Sequence, residues 1–164
     1  MATWGADARY TRLVEEHGEK LLHLAILLTG NRHDAEDVLQ DVLISAAAAW
    51  PIAKPLPYLK RAISNRAIDL IRRRHDVLTD APPERPYDDA GFLRLERHRQ
   101  FLALLRDLPE RQRETLVLRY YAELDDAAIA KILGITVQTV RSNAHHALAK
   151  LRQHEGVRAG KDES

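Results

Sequence analysis

Between Asp76 and Gly91 the chain carries Pro82, Pro83 and Pro86, with the acids Asp76, Asp80, Glu84, Asp88 and Asp89 against a single Arg85. Proline lacks the amide hydrogen that helices and sheets require, and clustered like charge repels itself, so the stretch predicts an extended, flexible linker. A 164-residue chain broken there folds as two small domains rather than around one core. The expected division is residues 1–75, a linker at 76–94, a second domain at 95–153 and a short tail at 154–164.

Both halves read as helical. Alanine, leucine and arginine dominate, while there are only seven glycines and seven prolines and 5% aromatic residues. Strong helix formers therefore fill almost every segment, and the class predicted is all-α. Hydrophobic residues at 45% and charged residues at 30% suit a globular protein rather than a disordered one. The absence of cysteine excludes disulfides, zinc ribbons and cysteine nucleophiles, and is consistent with a reducing compartment. The apolar stretches Leu21 to Leu28 and Ile44 to Trp50 are too short to span a bilayer, and no signal layout opens the chain, so no membrane insertion and a cytoplasmic location are expected. A net charge of +1 does not by itself suggest nucleic acid; the distribution of charge has to decide.

In the first half, Tyr10, Leu13, Val14, His17, Leu21, Leu24, Ala25 and Leu28 recur at helical spacing up to a stop at Gly30. Asn31 then predicts the cap of a second helix, whose inner face is Ala35, Val38, Leu39, Val42, Ala46 and Ala49. Three prolines within Pro51 to Pro57 predict a stiff loop, followed by a third helix from about Tyr58 to His75. Leu59, Ile63, Ala67, Leu70 and Ile71 are its expected inward residues. Lys60, Arg61, Arg66, Arg72, Arg73 and Arg74 load it with positive charge against one acid, Asp69.

The second half opens with a helix to about Leu108 and restarts after Pro109, with Leu116, Val117 and Tyr120 inward. Asp125 caps a short helix burying Ala128, Ile129, Ile132 and Leu133, Gly134 makes a turn, and Thr136 caps a second helix to about Gln153. This spacing is that of a helix-turn-helix. Val137, Val140, Ala144, Ala147, Leu148 and Leu151 share the second helix's inner face. Gln138, Ser142, His145, His146 and Ala149 lie opposite, with Thr139 and Arg141 at the flanks. A small, polar outer face is what a helix needs to approach base edges in the major groove. Adjacent histidines diverge by about 100° on a helix and no further ligand is near, so no metal is expected at His145 and His146. No glycine-rich phosphate loop or nucleophile elbow is present, and neither an enzyme nor a cofactor is expected.

Three stretches, in order over about residues 8 to 152, resemble the extracytoplasmic-function sigma factors, the smallest promoter-recognition subunits of bacterial RNA polymerase. They are Asp34-Ala-Glu-Asp-Val-Leu-Gln-Asp41, Tyr58-Leu-Lys-Arg-Ala-Ile-Ser-Asn-Arg-Ala-Ile-Asp-Leu-Ile-Arg-Arg-Arg74 and Leu108-Pro-Glu-Arg-Gln-Arg-Glu-Thr-Leu-Val-Leu-Arg-Tyr120. The resemblance implies a sigma region 2 helical bundle and a sigma region 4 helix-turn-helix domain. It implies that Asp34, Glu36, Asp37, Gln40 and Asp41 bind the polymerase core. It implies that Ala53, Lys54, Pro55 and Leu56 form a base-capturing loop which, with Lys60, Arg61, Asn65, Arg72 and Arg73, reads the minus-ten element. Arg74, like its two neighbours, suits phosphate.

Gln138, Thr139, Arg141, Ser142, His145 and His146 are the matching readers of the minus-thirty-five element. Many relatives carry a larger apolar residue and an arginine where this chain has Asn143-Ala144-His145-His146, which implies a weaker phosphate grip, an altered base preference and, through histidine, a pH-sensitive affinity. An anti-sigma protein is a further implied partner. The acidic linker resembles the family's connector through polymerase channels, and two readings of it stand side by side, a nucleic-acid mimic and a solvated tether. Base flipping costs a few kcal/mol, which a chain of net charge +1 has little electrostatic affinity to offset, so promoter melting is expected to need the polymerase. The alternative is a stand-alone helix-turn-helix regulator. It explains the C-terminal half equally well but leaves the basic third helix and its stiff loop without a role.

Overall fold

The computed structural model of the chain describes residues 7–77 and 103–162, and among these residues every regular element is a helix. The chain forms two compact units, Met1–Asp89 and Ala90–Ser164. Most of the expected linker, and the start of the helix expected to end near Leu108, lie outside the described residues.

The first unit is three helices, α1 (Ala8–Thr29), α2 (Arg32–Ala49) and α3 (Pro55–Val77), each packed on the other two. Local chemistry sets their ends. The Asp7 carboxylate accepts from the Arg9 amide at the start of α1, and Gly30, at φ 82°, ends it by donating to the Ile26 carbonyl. Only glycine adopts that left-handed geometry at no steric cost. Asn31 Oδ1 accepts from the Asp34 amide at 2.8 Å and starts α2. The core is Leu21, Leu24, Ala25 and Leu28 of α1, Ala35, Val38, Val42 and Ala46 of α2, and Leu59, Ile63, Ala67 and Ile68 of α3. Each fully buried leucine or isoleucine contributes roughly 1.5–3 kcal/mol.

Three expectations need correction here. Helix α3 starts at Pro55, so Pro55, Leu56 and Pro57 form its first turn rather than a loop. First-turn amides have no partner within the helix, and proline loses nothing by lacking one. On α3, Ile68 is buried while Leu70 and Ile71 are half-buried, because a helix wedged between two others buries two adjacent rows. On α2, Ala49 is exposed, Leu39 is half-buried, and Asp34 is buried.

In the second unit a helical stretch at 103–106 precedes Pro109. Helix α4 (Glu110–Leu116) runs directly into a π-helical turn, Val117–Tyr121, in which the Ala122 amide donates five residues back to the Val117 carbonyl at 3.0 Å. The wider turn breaks the 3.6-residue period. Leu118 is therefore buried and Tyr120, expected inward, is 57% exposed. Helices α5 (Asp126–Leu133) and α6 (Val137–Asp162) follow, and both α4 and α5 pack on α6. Ile129, Ala130, Ile132 and Leu133 meet Val140, Ala144 and Ala147 in the core; Ala128 is only half-buried, as are Val137, Leu148 and Leu151. Helix α6 continues beyond Gln153 to Asp162, so the expected tail is largely helical. Single glycines such as Gly156 cost a helix only about 1 kcal/mol.

Candidate nucleic-acid interface

The turn between α5 and α6 is built from short side chains that satisfy helix ends. Asp125 Oδ1 accepts from the Ala128 amide at 2.7 Å. Gly134, at φ 67°, donates to the Ala130 carbonyl, and the Ile135 amide donates to the same carbonyl at 3.0 Å. Thr136 Oγ1 accepts from the Thr139 amide at 3.1 Å and lies 2.8 Å from the Thr139 hydroxyl. With Val140, Ala144 and Ala147 buried beneath, Gln138, Thr139, Arg141, Ser142, His145 and His146 are all exposed. The two imidazole rings are 6.0 Å apart and tilted by 57°. Thr139 is partly engaged by the cap, and Arg141 is engaged by an acid: its Nε donates to Asp126 Oδ2 at 3.4 Å. Arg119 Nη2 donates to the same oxygen at 2.9 Å. This junction was missed in the sequence because fifteen residues and a turn separate Asp126 from Arg141.

On the first unit the positive charge of α3 is thinner than its sequence suggests. Arg66 pairs with Asp41 at 2.8 Å and Arg73 with Asp69 at 3.1 Å. Arg74, expected to meet phosphate, instead grips Asp34: Nη2 donates to Oδ1 at 2.6 Å and Nη1 donates to Oδ2. The Asp34 side chain is only 7% exposed. Burial pushes its pKa up, but hydrogen bonds from Arg74 and Asn31 outweigh that and hold it below the usual value. Asp34 thus departs from the expected docking surface and serves the fold. Glu36, Asp37, Gln40 and Asp41 are exposed along α2.

Ala53 and Lys54 are exposed in the loop before α3, while Pro55 and Leu56 are half-buried in its first turn. Arg61, Asn65 and Arg73 are exposed, and Lys60 and Arg72 half-buried. Trp50, the residue that leads into this loop, is fastened to the start of α1, which the sequence did not suggest. Its indole N–H donates to Asp7 Oδ2, its ring meets Tyr10 edge-on at 5.2 Å, and the Arg9 guanidinium lies 6.0 Å from the ring centroid. The Tyr10 hydroxyl donates to the Leu43 carbonyl. Burial raises the Tyr10 pKa, and hydrogen bonds from Arg9 hold the Asp7 carboxyl far below the usual range.

Among the described residues no group of three or more histidines and acids is placed to hold a metal, and no helix is long and apolar enough to cross a membrane.

The chain is similar to several known proteins. Residues 13–76 match the family model for sigma-70 region 2, and residues 98–151 that for sigma-70, region 4. RNA polymerase sigma-E factor of Streptomyces coelicolor is 30% identical over 155 residues, covering 91% of this chain and 87% of that protein. The sigma factor SigL of Mycobacterium tuberculosis is 33% identical, covering 90% and 89%, and SigW of Bacillus subtilis 26%, covering 91% and 90%. A solved structure of CnrH in complex with the cytosolic domain of CnrY superposes with a TM-score of 0.57 at 25% identity, covering 93% of this chain and 91% of that one. The chain belongs to the extracytoplasmic-function sigma factors of the sigma-70 family, RNA polymerase sigma factors that act in promoter-specific transcription initiation.

Proposed function

We propose that residues 1–75 dock on core RNA polymerase and read the minus-ten element, that residues 95–153 read the minus-thirty-five element, and that residues 76–94 connect the two. Glu36, Asp37, Gln40 and Asp41 supply the docking face of α2, where opposite charge on the polymerase would speed encounter and fix register. Ala53 and Lys54, backed by Pro55 and Leu56, take a base unstacked from one strand, while Lys60, Arg61, Asn65, Arg72 and Arg73 contact its backbone and neighbours. Gln138, Thr139, Arg141, Ser142, His145 and His146 enter the major groove.

The observation that carries this reading is the outer face of α6, where the polar residues Gln138, Thr139, Arg141, Ser142, His145 and His146 are exposed beside a capped glycine turn. Tethering two DNA readers to one enzyme raises their effective concentration at correctly spaced elements. The chain acts as an initiation factor, not as an enzyme, in the cytoplasm where polymerase and promoter meet. A regulatory protein of the anti-sigma kind, covering these same faces, is its further partner; the neighbour CnrH is itself found in a complex.

The test is reconstitution with bacterial core polymerase and transcription from DNA fragments selected for binding. Promoter-specific transcripts that appear only with both core and this chain are expected. Tight operator binding by the purified chain alone, with no effect on core polymerase, would show a stand-alone regulator instead.

A further inference from the structure

We propose that Asp126 is a positioning residue for DNA reading, holding Arg141 by one edge so that the rest of its guanidinium is aimed outward before DNA arrives. The proposal rests on the reading of α6 as the recognition helix. Asp126 opens α5, and its carboxylate side chain is 19% exposed, against 69% for Arg141. The contact runs through the Arg141 Nε, at 3.4 Å from Asp126 Oδ2. An arginine has five N–H donors in a fixed fork, and engaging Nε leaves those on Nη1 and Nη2 to face a phosphate or a guanine edge. A long side chain already held in one orientation has less rotamer freedom to lose on binding.

Arg119 makes this hold reversible. Its Nη2 donates to the same Asp126 oxygen at 2.9 Å, from a side chain that is only 30% exposed. One carboxylate therefore serves two cations. If Arg141 shifts toward DNA, Asp126 keeps a partner, and no half-buried charge is left unpaired. The same carboxylate also opposes approach of Arg141 to any phosphate that offers no better geometry. Asp126 thus favours a well-aligned base contact and disfavours loose backbone contact, which makes it a determinant of specificity as well as of position.

The experiment uses the full chain assembled with bacterial core polymerase, presented with a randomised duplex library whose bound fraction is sequenced. Wild type, Arg141→Ala, Asp126→Asn and Asp126→Glu are compared, with unfolding midpoints measured for each. Arg141→Ala is expected to lose base preference at one position of the selected upstream element. Asp126→Asn is expected to weaken preference at that same position by about threefold, and to steepen the dependence of log affinity on log salt by about one, as Arg141 becomes available to phosphate. Asp126→Glu should restore most of the preference. Unchanged preference in Asp126→Asn overturns the proposal, as does an equal loss of affinity for selected and unselected duplexes. If Arg141→Ala leaves the selected pattern intact, Arg141 reads no base and the inference fails, whereas a wild-type chain that selects no upstream element at all would sink the recognition-helix reading itself.

Discussion

Arg74 reaches back from the end of α3 to grip Asp34 at the start of α2 with two nitrogens, joining residues forty positions apart. Because Asp34 is nearly buried while Arg74 is half exposed, the pair lies between the surface and interior extremes. Arg74→Ala should destabilise the first unit by about 2 kcal/mol, since it leaves a buried carboxylate short of its main partner. Asp34→Ala with Arg74→Ala should cost less than the sum of the single changes. Urea titrations of the three variants measure both effects.

The same pair predicts how the protein responds to acid. The folded Asp34 pKa lies below its ordinary value. Its contribution is therefore complete above the ordinary aspartate range and disappears as pH falls through the lower folded value. In Arg74→Ala the folded pKa rises toward the ordinary value, so this acid-induced loss should span a narrower pH range and be smaller, as followed by denaturant midpoints across an acid titration.

Glu114 on α4 behaves in the opposite sense. It is 7% exposed; burial raises its pKa, and Glu110 adds to that, while Arg111 at 3.1 Å offsets only part. The unfolded chain releases this proton more readily than the folded one. Stability therefore falls as pH rises from the ordinary glutamate range to the raised folded value. Glu114→Gln should flatten that part of the stability profile, measured by denaturant midpoints.

These pairs mark the boundary of what the sequence makes legible. Caps such as Asn31 with Asp34, Asp125 with Ala128 and Thr136 with Thr139 act within three residues, so residue type and spacing suffice to read them. The same holds for most of the outer face of α6, where Gln138, Ser142, His145 and His146 are exposed as expected and Ala149 is half-buried. Arg74 on Asp34, Trp50 on Asp7 and Arg141 on Asp126 depend on how helices cross, which periodicity does not encode. Tyr120 was misread for a different reason, since a five-residue turn shifts every later side chain around the helix. Nor does periodicity say which of the six basic residues on α3 will meet a carboxylate.

Glycine at the α5–α6 turn is a requirement of geometry. Gly134 sits at φ 67°, a left-handed conformation that costs other residues roughly 1–2 kcal/mol. Gly134→Ala should lower the stability of the second unit by about 1 kcal/mol and weaken upstream promoter contacts, read from denaturant midpoints and from transcription with core polymerase.

The exposed acids of α2 should act on encounter more than on folding. Glu36→Lys with Asp37→Lys is expected to slow association with core polymerase about tenfold at low salt, with little change in unfolding midpoint. Raising the salt should shrink the difference, because these side chains are solvent-facing and screened. Stopped-flow or surface-based association rates decide it.

The hairpin of α1 and α2 is fastened twice, by the tight Gly30–Asn31 turn at one end and by Trp50 on Asp7 and Tyr10 at the other. A pair of rods pinned at both ends resists splaying as a truss does, whereas a pair joined only at a turn swings like tongs. The segment Pro51 to Lys54 consequently leaves from one fixed point and enters α3 at another, with little slack between. If the segment takes an unstacked base as proposed, such a bridge would select what fits its resting shape instead of wrapping around whatever arrives, and its discrimination would be set before any nucleotide reached it.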